Sequence, residues 1–340
     1  MSTLRTLALW KAQVGGVVLS ACLGLSGGSV PQQEDGQEPE GFRIGVAVNQ
    51  IFLPVSVRYR GGGFVEGLTQ EDFLVYENGV LQHIENFYSE RVPVKVVLLV
   101  DASGSTYYSQ ADIRRAAIEF AKRLSPEDQV AVVSFNHQAK LLLDFTSDPD
   151  LVDLALKKIY AKGNTVLYDA LYVTFDDLLK GVNTKTAVIL LTDGIDTGSM
   201  VSFQDVLQLT LQASSPIYVV SKVDEYRAEA IGLRRLLRSR NQIIPDTLED
   251  AFIQERAEGL KRLADLTGGR YLSTRDFASL TDIYGQVAEE LKHQYFMSYV
   301  PVNRERDGSW RSIEVKVRRG DVVARTRRGY YALGPDKTVP

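Results

Sequence analysis

The feature that most constrains this chain is an apolar run from Val94 through Val100 that ends in Asp101 and gives way at once to a helical pattern. Ile113, Ala116, Ala117, Phe120, Ala121 and Leu124 recur at helical spacing, behind Ser109 and Asp112 set as a capping box. A strand that is apolar on both faces must be covered on both, which argues for a sheet with helices on each side. The alternation continues. Gln129 to Phe135 and Ala139 to Phe145 read as strands that form an edge hairpin, and residues 148–160 and 166–180 read as helices. Thr186 to Leu191 is another buried strand, followed by a helix near 203–213 and a strand at Ile217 to Ser221. A helix near 256–267, a short strand at Arg270 to Ser273 and a helix from about Thr281 to His293 complete the pattern. The fold expected for residues 93–293 is α/β, a doubly wound, mostly parallel sheet.

On either side the rhythm is different. Residues 42–92 hold short β-type runs, such as Val55 to Tyr59 and Phe73 to Tyr76, with Asn78-Gly79 suited to a tight hairpin because both residues tolerate positive φ. Residues 294–340 return to β, with Ile313, Val315 and Val317 alternating with Glu314, Lys316 and Arg318. Neither segment has enough strands to stand alone. Each covering helix runs back from the strands' carboxyl edge, so the last one should finish close to where Val94 begins. The two β segments are therefore expected to meet there in one small sandwich-like unit. One further interruption stands out: between Ser221 and the helix near residue 256, about thirty residues intervene where roughly two to six are usual. This insertion spans about 224–255, and from Arg227 to Arg240 it is locally basic, with Arg227, Arg234, Arg235, Arg238 and Arg240 against Glu229. A solvated helix face would account for it. A surface in which Arg234, Arg235 and Arg238 select an acidic partner is the functional alternative.

The amino terminus reads as an export signal over residues 1–25, with Arg5 and Lys11 ahead of a small-residue apolar stretch from Val14 to Leu25. Within it, Leu19-Ser20-Ala21-Cys22 resembles the box at which bacterial lipoprotein signals are cleaved, leaving Cys22 to be lipidated; an ordinary cleaved signal is the alternative. Residues 26–41, rich in Gly, Ser, Pro, Gln and Glu, form a solvated tether reaching about 20 Å. The expectation is an exported protein of the bacterial cell envelope, meeting the membrane only through an amino-terminal lipid.

Composition narrows the function classes. A formal net charge of -4 over 340 residues leaves no overall field to hold nucleic acid. A single cysteine and three histidines give little support to zinc or redox chemistry. His83, His137 and His293 lie on unrelated elements and read as surface or core residues. What remains is oxygen chemistry at the carboxyl ends of the apolar strands, where ligands sit in open α/β sheets. Asp101 opens Asp101-Ala102-Ser103-Gly104-Ser105, Asp193 ends Leu190-Leu191-Thr192-Asp193, and Thr165 stands on a Gly-led loop just before a helix. Two carboxylates and three hydroxyls are hard donors that suit Mg²⁺, with Mn²⁺ or Ca²⁺ as alternatives. So few charges leave room for an acidic group from outside. Asp169, four residues after Thr165, either faces this crevice or orients its loop, and Asp196 reads as a solvated turn residue.

These three segments, in this order, resemble the metal-ion-dependent adhesion site of von Willebrand factor type A domains, whose fold is Rossmann-like. Asp101, Ser103 and Ser105 match its Asp-x-Ser-x-Ser loop, Thr165 its isolated threonine and Asp193 its final aspartate. The resemblance implies that Mg²⁺ is held by these residues and that a protein partner's carboxylate completes its coordination. The flanking Gly67 to Phe73, Tyr76-Glu77-Asn78-Gly79 and Arg327-Arg328-Gly329-Tyr330-Tyr331 resemble a family of exported bacterial proteins related to these domains. An enzyme is disfavoured on residue grounds. An aspartyl phosphotransferase needs a second carboxylate where Ser103 stands, and a serine hydrolase needs glycines where Asp101 and Ser105 stand. A scaffold whose metal only staples the loops is the remaining alternative to a binding module.

Overall fold

Fourteen strands and six α-helices, numbered here in chain order, follow from those patterns in a computed structural model that describes residues 50–89, 91–104, 106, 110–182, 184–192, 196–221, 248–273 and 279–333. The central apolar run is β5 (Val94–Asp101), with Val96 to Val100 fully buried. It lies inside a six-stranded sheet of order β10-β9-β8-β5-β6-β7, built from β6 (Gln129–Phe135), β7 (Ala139–Thr146), β8 (Lys185–Thr192), β9 (Ile217–Ser221) and β10 (Tyr271–Ser273). Every pairing is parallel except β6 with β7, the edge hairpin expected from sequence. Because side chains alternate along β5, Val96, Leu98 and Val100 face one core and Val97 and Leu99 the other. The first core is closed by α1 (Gln110–Arg123), α2 (Pro149–Leu156) and α6 (Leu280–Lys292), through Ile113, Phe120, Val152, Tyr284 and Val287. The second is closed by α3 (Leu167–Val173), α4 (Phe203–Gln212) and α5 (Leu248–Thr267), through Leu167, Leu171, Val206, Leu260 and Leu263.

Element ends differ from the sequence expectation in three places. The helix expected to reach residue 160 stops at Leu156. The helix expected over 166–180 is α-helical only to Val173, then widens into a π turn over Thr174–Leu178, where Thr174 Oγ1 bonds back to the Ala170 carbonyl. The helix expected near 256 begins at Leu248, inside the segment assigned to the insertion.

The two flanking β segments pair with one another. β1 (Ile51–Tyr59) lies antiparallel between β11 (Gln294–Tyr299) and β13 (Val322–Arg325), with β4 (Ile84–Tyr88) on the far side of β11. The second sheet has the order β14-β12-β2-β3, from β14 (Gly329–Tyr331), β12 (Trp310–Val317), β2 (Phe73–Glu77) and β3 (Val80–Gln82). Asn78 and Gly79, at φ 48° and 79°, make the β2–β3 turn. Leu53, Val55, Val57, Phe73, Val75, Tyr295, Met297 and Ile313 form the core shared by the two sheets. Pro54 is tolerated in β1 because β13 pairs only with Ser56 to Tyr59, so the missing N–H breaks no ladder.

Two features lock this unit to the α/β domain. Helix α6 runs straight into β11, and the Lys185 ammonium at the start of β8 donates to the Leu291 carbonyl at 2.6 Å. Since Lys185 lies beside Val94, the end of the last helix sits at the amino-terminal edge of the sheet. Buried Arg327 reaches the Leu211 carbonyl and Ser214 Oγ beyond α4, while the Gly268 and Gly269 backbone packs against Arg327 and Ile217. A side-chain carbon at Gly269 would lie 2.1 Å from the Ile217 oxygen, which leaves room there for glycine alone.

Candidate metal centre

The site is built where β5 and β8, neighbours in the sheet, end side by side. Asp101 is fully buried at the end of β5. Its Oδ1 accepts the Ser103 N–H at 2.8 Å and its Oδ2 accepts the hydroxyl of Thr192, the last residue of β8, at 2.8 Å. The Thr106 hydroxyl donates to the carbonyls of Asp101 and Ser103 at 3.1 and 2.9 Å, which closes the turn and holds Ser103 in a buried position. A carboxylate gripped on both oxygens has one orientation, so the loop is organised before any ligand arrives.

The Gly-led loop comes to the same edge by backbone pairing. The Lys162 N–H donates to the Ala102 carbonyl at 2.8 Å, and the Gly104 N–H donates to the Gly163 carbonyl at 3.3 Å. Gly163 sits at φ 81°, a conformation that favours glycine. Two residues on, Thr165 is buried and is pinned by its backbone to the following loop. Its N–H donates to Thr197 Oγ1 at 3.0 Å, and its carbonyl accepts the N–H groups of Thr197 and Gly198 at 2.9 and 3.1 Å. Asp101, Ser103 and Thr165 are thus carried by directly bonded loops, with Thr192 at the end of β8 bonded to the Asp101 carboxylate.

Asp169 is bonded to the loop after the β8 strand. Its Oδ1 accepts the Met200 and Val201 N–H groups, both at 2.9 Å, so it orients the loop that follows Asp193. Burial raises its pKa and these two N–H groups lower it, with the neighbouring Asp196 raising it further. Asp196 corrects the sequence reading. It is buried rather than solvated, and its Oδ1 accepts the Leu167 N–H at 2.9 Å, capping α3 from across the chain. The signal was present: α3 opens after Val166, which offers no capping oxygen, so the cap had to come from elsewhere.

Ser105 and Asp193 lie outside the described residues, as do Cys22, Arg234, Arg235 and Arg238. Among the described residues no three His, Cys, Asp or Glu side chains come together. The described candidates Asp101, Ser103 and Thr165 offer carboxylate and hydroxyl oxygens, the donor type that hard divalent cations take. Exposed His137, on the β6–β7 turn, lies beside the Gly163 loop: a side-chain carbon at Gly163 would be 3.8 Å from its Nδ1. His293 stacks on Phe64 with ring centres 4.8 Å apart, at the far end of the sheet.

Residues 96–195 match the family model of the von Willebrand factor type A domain, and the chain carries such a domain there. A curated protein of Synechocystis sp., itself uncharacterized, is 26% identical over 111 residues, which are 32% of this chain and 26% of that protein. The match thus spans about a quarter of the relative's length. Among solved structures, a von Willebrand factor type A protein from Catenulispora acidiphila is 14% identical with a TM-score of 0.45, covering 74% of this chain and 52% of that one. Proximal thread matrix protein 1 of the mussel byssus is 17% identical with a TM-score of 0.46, over 62% of this chain and 49% of that one. The corresponding domain of the type V pili tip protein Mfa5 from Porphyromonas gingivalis is 12% identical with a TM-score of 0.43, over 58% and 95%.

Proposed function

We propose that this domain is a metal-dependent binding module, in which Asp101, Ser103, Ser105, Thr165 and Asp193 hold Mg²⁺ and an acidic side chain of a protein partner adds to it. Von Willebrand factor type A domains are in general protein-interaction modules, and the match at residues 96–195 supports a binding role for this one. The observation that carries the reading is the direct bonding of the Asp101–Gly104 loop to the Lys162–Gly163 loop, with Thr192 on the Asp101 carboxylate. That arrangement brings the Asp101 carboxylate and the loops that carry the Ser103 and Thr165 hydroxyls to one edge of the sheet. A bound Mg²⁺ would supply the positive centre that an acidic side chain needs. The chain's own part is to present the oxygens in fixed positions and to keep the loops from collapsing when the ligand leaves.

Calorimetric titration of the metal-free protein with Mg²⁺ tests this directly. One site is expected in the wild type and none in Asp101→Asn or Asp193→Asn; Mg²⁺ affinity unchanged in both variants would refute the assignment. Capture of partners from an envelope extract should fail in EDTA and return with Mg²⁺, whereas a scaffold with a stapling metal would show no partner that depends on the ion.

The same proposal places the protein on the bacterial envelope through lipidated Cys22, at the end of its tether. Mass spectrometry of the mature protein should find an acylated amino-terminal Cys22, and an unmodified terminus beyond residue 25 would mean simple secretion instead. Arg234, Arg235 and Arg238 are proposed to steer the acidic partner. Their reversal to Glu should slow association while sparing Mg²⁺ affinity, and unchanged kinetics would return them to a solvated face.

A further inference from the structure

At the opposite end of the sheet, where the β unit meets the α/β domain, three guanidinium groups line one cavity. Ser56 and Arg58 of β1 stand in register with Arg325 and Val323 of β13, so all four share one face of that sheet. The alternate residues Val55 and Val57 turn the other way, into the β core. Arg270, just before β10, and Glu290, in the last turn of α6, complete the lining of a cavity of about 210 Å³.

Each group is held in place. Glu290 is buried, and all its hydrogen-bonding directions are engaged. Its Oε1 accepts the Ser56 hydroxyl at 3.4 Å and the Tyr218 hydroxyl at 3.2 Å, while its Oε2 accepts Arg58 at 3.3 Å and Arg270 at 3.4 Å. Arg58 also lies over the Phe64 ring, 4.0 Å from its centre. Arg325 is fixed independently, donating from Nη1 to the Gly269 carbonyl at 2.6 Å.

Three guanidiniums against one carboxylate leave a surplus of two positive charges on the lining residues. A structural ion pair for Glu290 requires only one of them. Each guanidinium carries several N–H donors in a rigid fork, and the bonds just named use one from each. Forks fixed in advance around an open volume are the arrangement that favours a multi-oxygen anion, because little side-chain entropy remains to be lost on binding.

The geometry points to an anion site at this seam, built to take a phosphate dianion, free or as the head of a phosphomonoester. Bound there, the anion bridges β1, β13 and the segment before β10, and so ties the β unit to the α/β domain. The site is separate from the candidate metal centre, since Arg270 precedes β10 at the edge of the parallel sheet away from Asp101.

Calorimetric titration of the full chain with inorganic phosphate and with glycerol 3-phosphate, at ionic strength held constant with NaCl, tests the site. Saturable one-site binding is expected, with a matching rise in melting temperature. Equal binding of the two ligands identifies the monoester head as the natural ligand, and binding of inorganic phosphate alone identifies the free ion. Arg325→Gln, which leaves every Glu290 bond in place, should weaken binding by about tenfold or more. Val323→Glu, at a residue 51% exposed and paired with Arg58 across the strands, keeps all three arginines but sets a competing negative charge in the mouth, and should abolish binding. Arg319→Gln, outside the cavity, should change nothing. Absence of saturable binding by either ligand, or full affinity in both Arg325→Gln and Val323→Glu, overturns the proposal.

Discussion

The two ends of the six-stranded sheet each bury a carboxylate, and they treat it in opposite ways. At the amino-terminal edge Asp128 accepts the Val94 and Ser125 N–H groups at 2.9 and 3.0 Å and pairs with Arg91. Lys185 is buried close by, its pKa pushed down to about 7 by burial, with Asp128 pulling it up and Arg91 pushing it down. The chain thus provides the counter-charges for that carboxylate, and the result is a structural joint. At the carboxyl-terminal edge Asp101 accepts the Ser103 amide and the Thr192 hydroxyl, two dipoles that fix the orientation of its carboxylate. The first arrangement closes a joint with ions of the chain itself, whereas the second holds the loop at which we propose that a metal binds.

That contrast can be broken by mutation. The largest effect is expected at the joint. Asp128→Ala leaves Arg91 without its buried partner and two N–H groups unsatisfied, and should lower the unfolding free energy by about 3–5 kcal/mol in urea titrations. A loss as small as that of a surface residue would show that the joint is not structural.

Next comes a pH effect. Folded Lys185 releases its proton near pH 7, whereas the unfolded lysine keeps it to about 10.5. Between these values the unfolded chain binds more protons, so stability should rise with pH relative to Lys185→Met. Below pH 7 both states are protonated and the difference should level off. Parallel pH profiles for the two proteins would mean that the lysine is not titrating in the folded state.

A smaller effect on stability, with a large one on binding, is expected for Asp101→Asn. The amide can still accept from Ser103 and donate to Thr192, so the metal-free fold should change by less than about 1 kcal/mol while Mg²⁺ binding is lost. A stability loss equal to that of Asp128→Ala would erase the distinction between the two ends. The smallest effect belongs to Asp169→Asn, which keeps the oxygen that accepts Met200 and Val201. Mg²⁺ affinity should fall by no more than about threefold, since only an orienting contact is altered; outright loss would make Asp169 a ligand.

Much of the fold was legible because its signals are local. The uninterrupted apolar runs of β5, β8 and β9 require a sheet covered on both faces, and the helical spacing from Ile113 to Leu124 requires a covering helix whatever the rest of the chain does. The Asn78-Gly79 turn follows from backbone sterics alone. The pairing of Ser56 with both Gln294 and Arg325 carries no local mark, because strand partners are chosen by a shared core and not by spacing along the chain.

For the same reason the residues Asp101, Ser103 and Thr165 could be named from sequence, each at the end of an apolar strand or before a helix, but their neighbours could not. Asp196 reads as a surface turn until Leu167, 29 residues away, brings it an unsatisfied N–H. Arg58, Arg270 and Arg325 stand far apart in the chain and share a cavity only because β1, β13 and the segment before β10 meet. Sequence by itself determined which segments must be buried and which oxygens stand at strand ends, since hydrophobic period and side-chain chemistry are properties of the residues. Only the tertiary structure decided which buried charges meet a partner and which guanidiniums share a cavity, because electrostatic balance depends on distances between residues that the chain order leaves far apart.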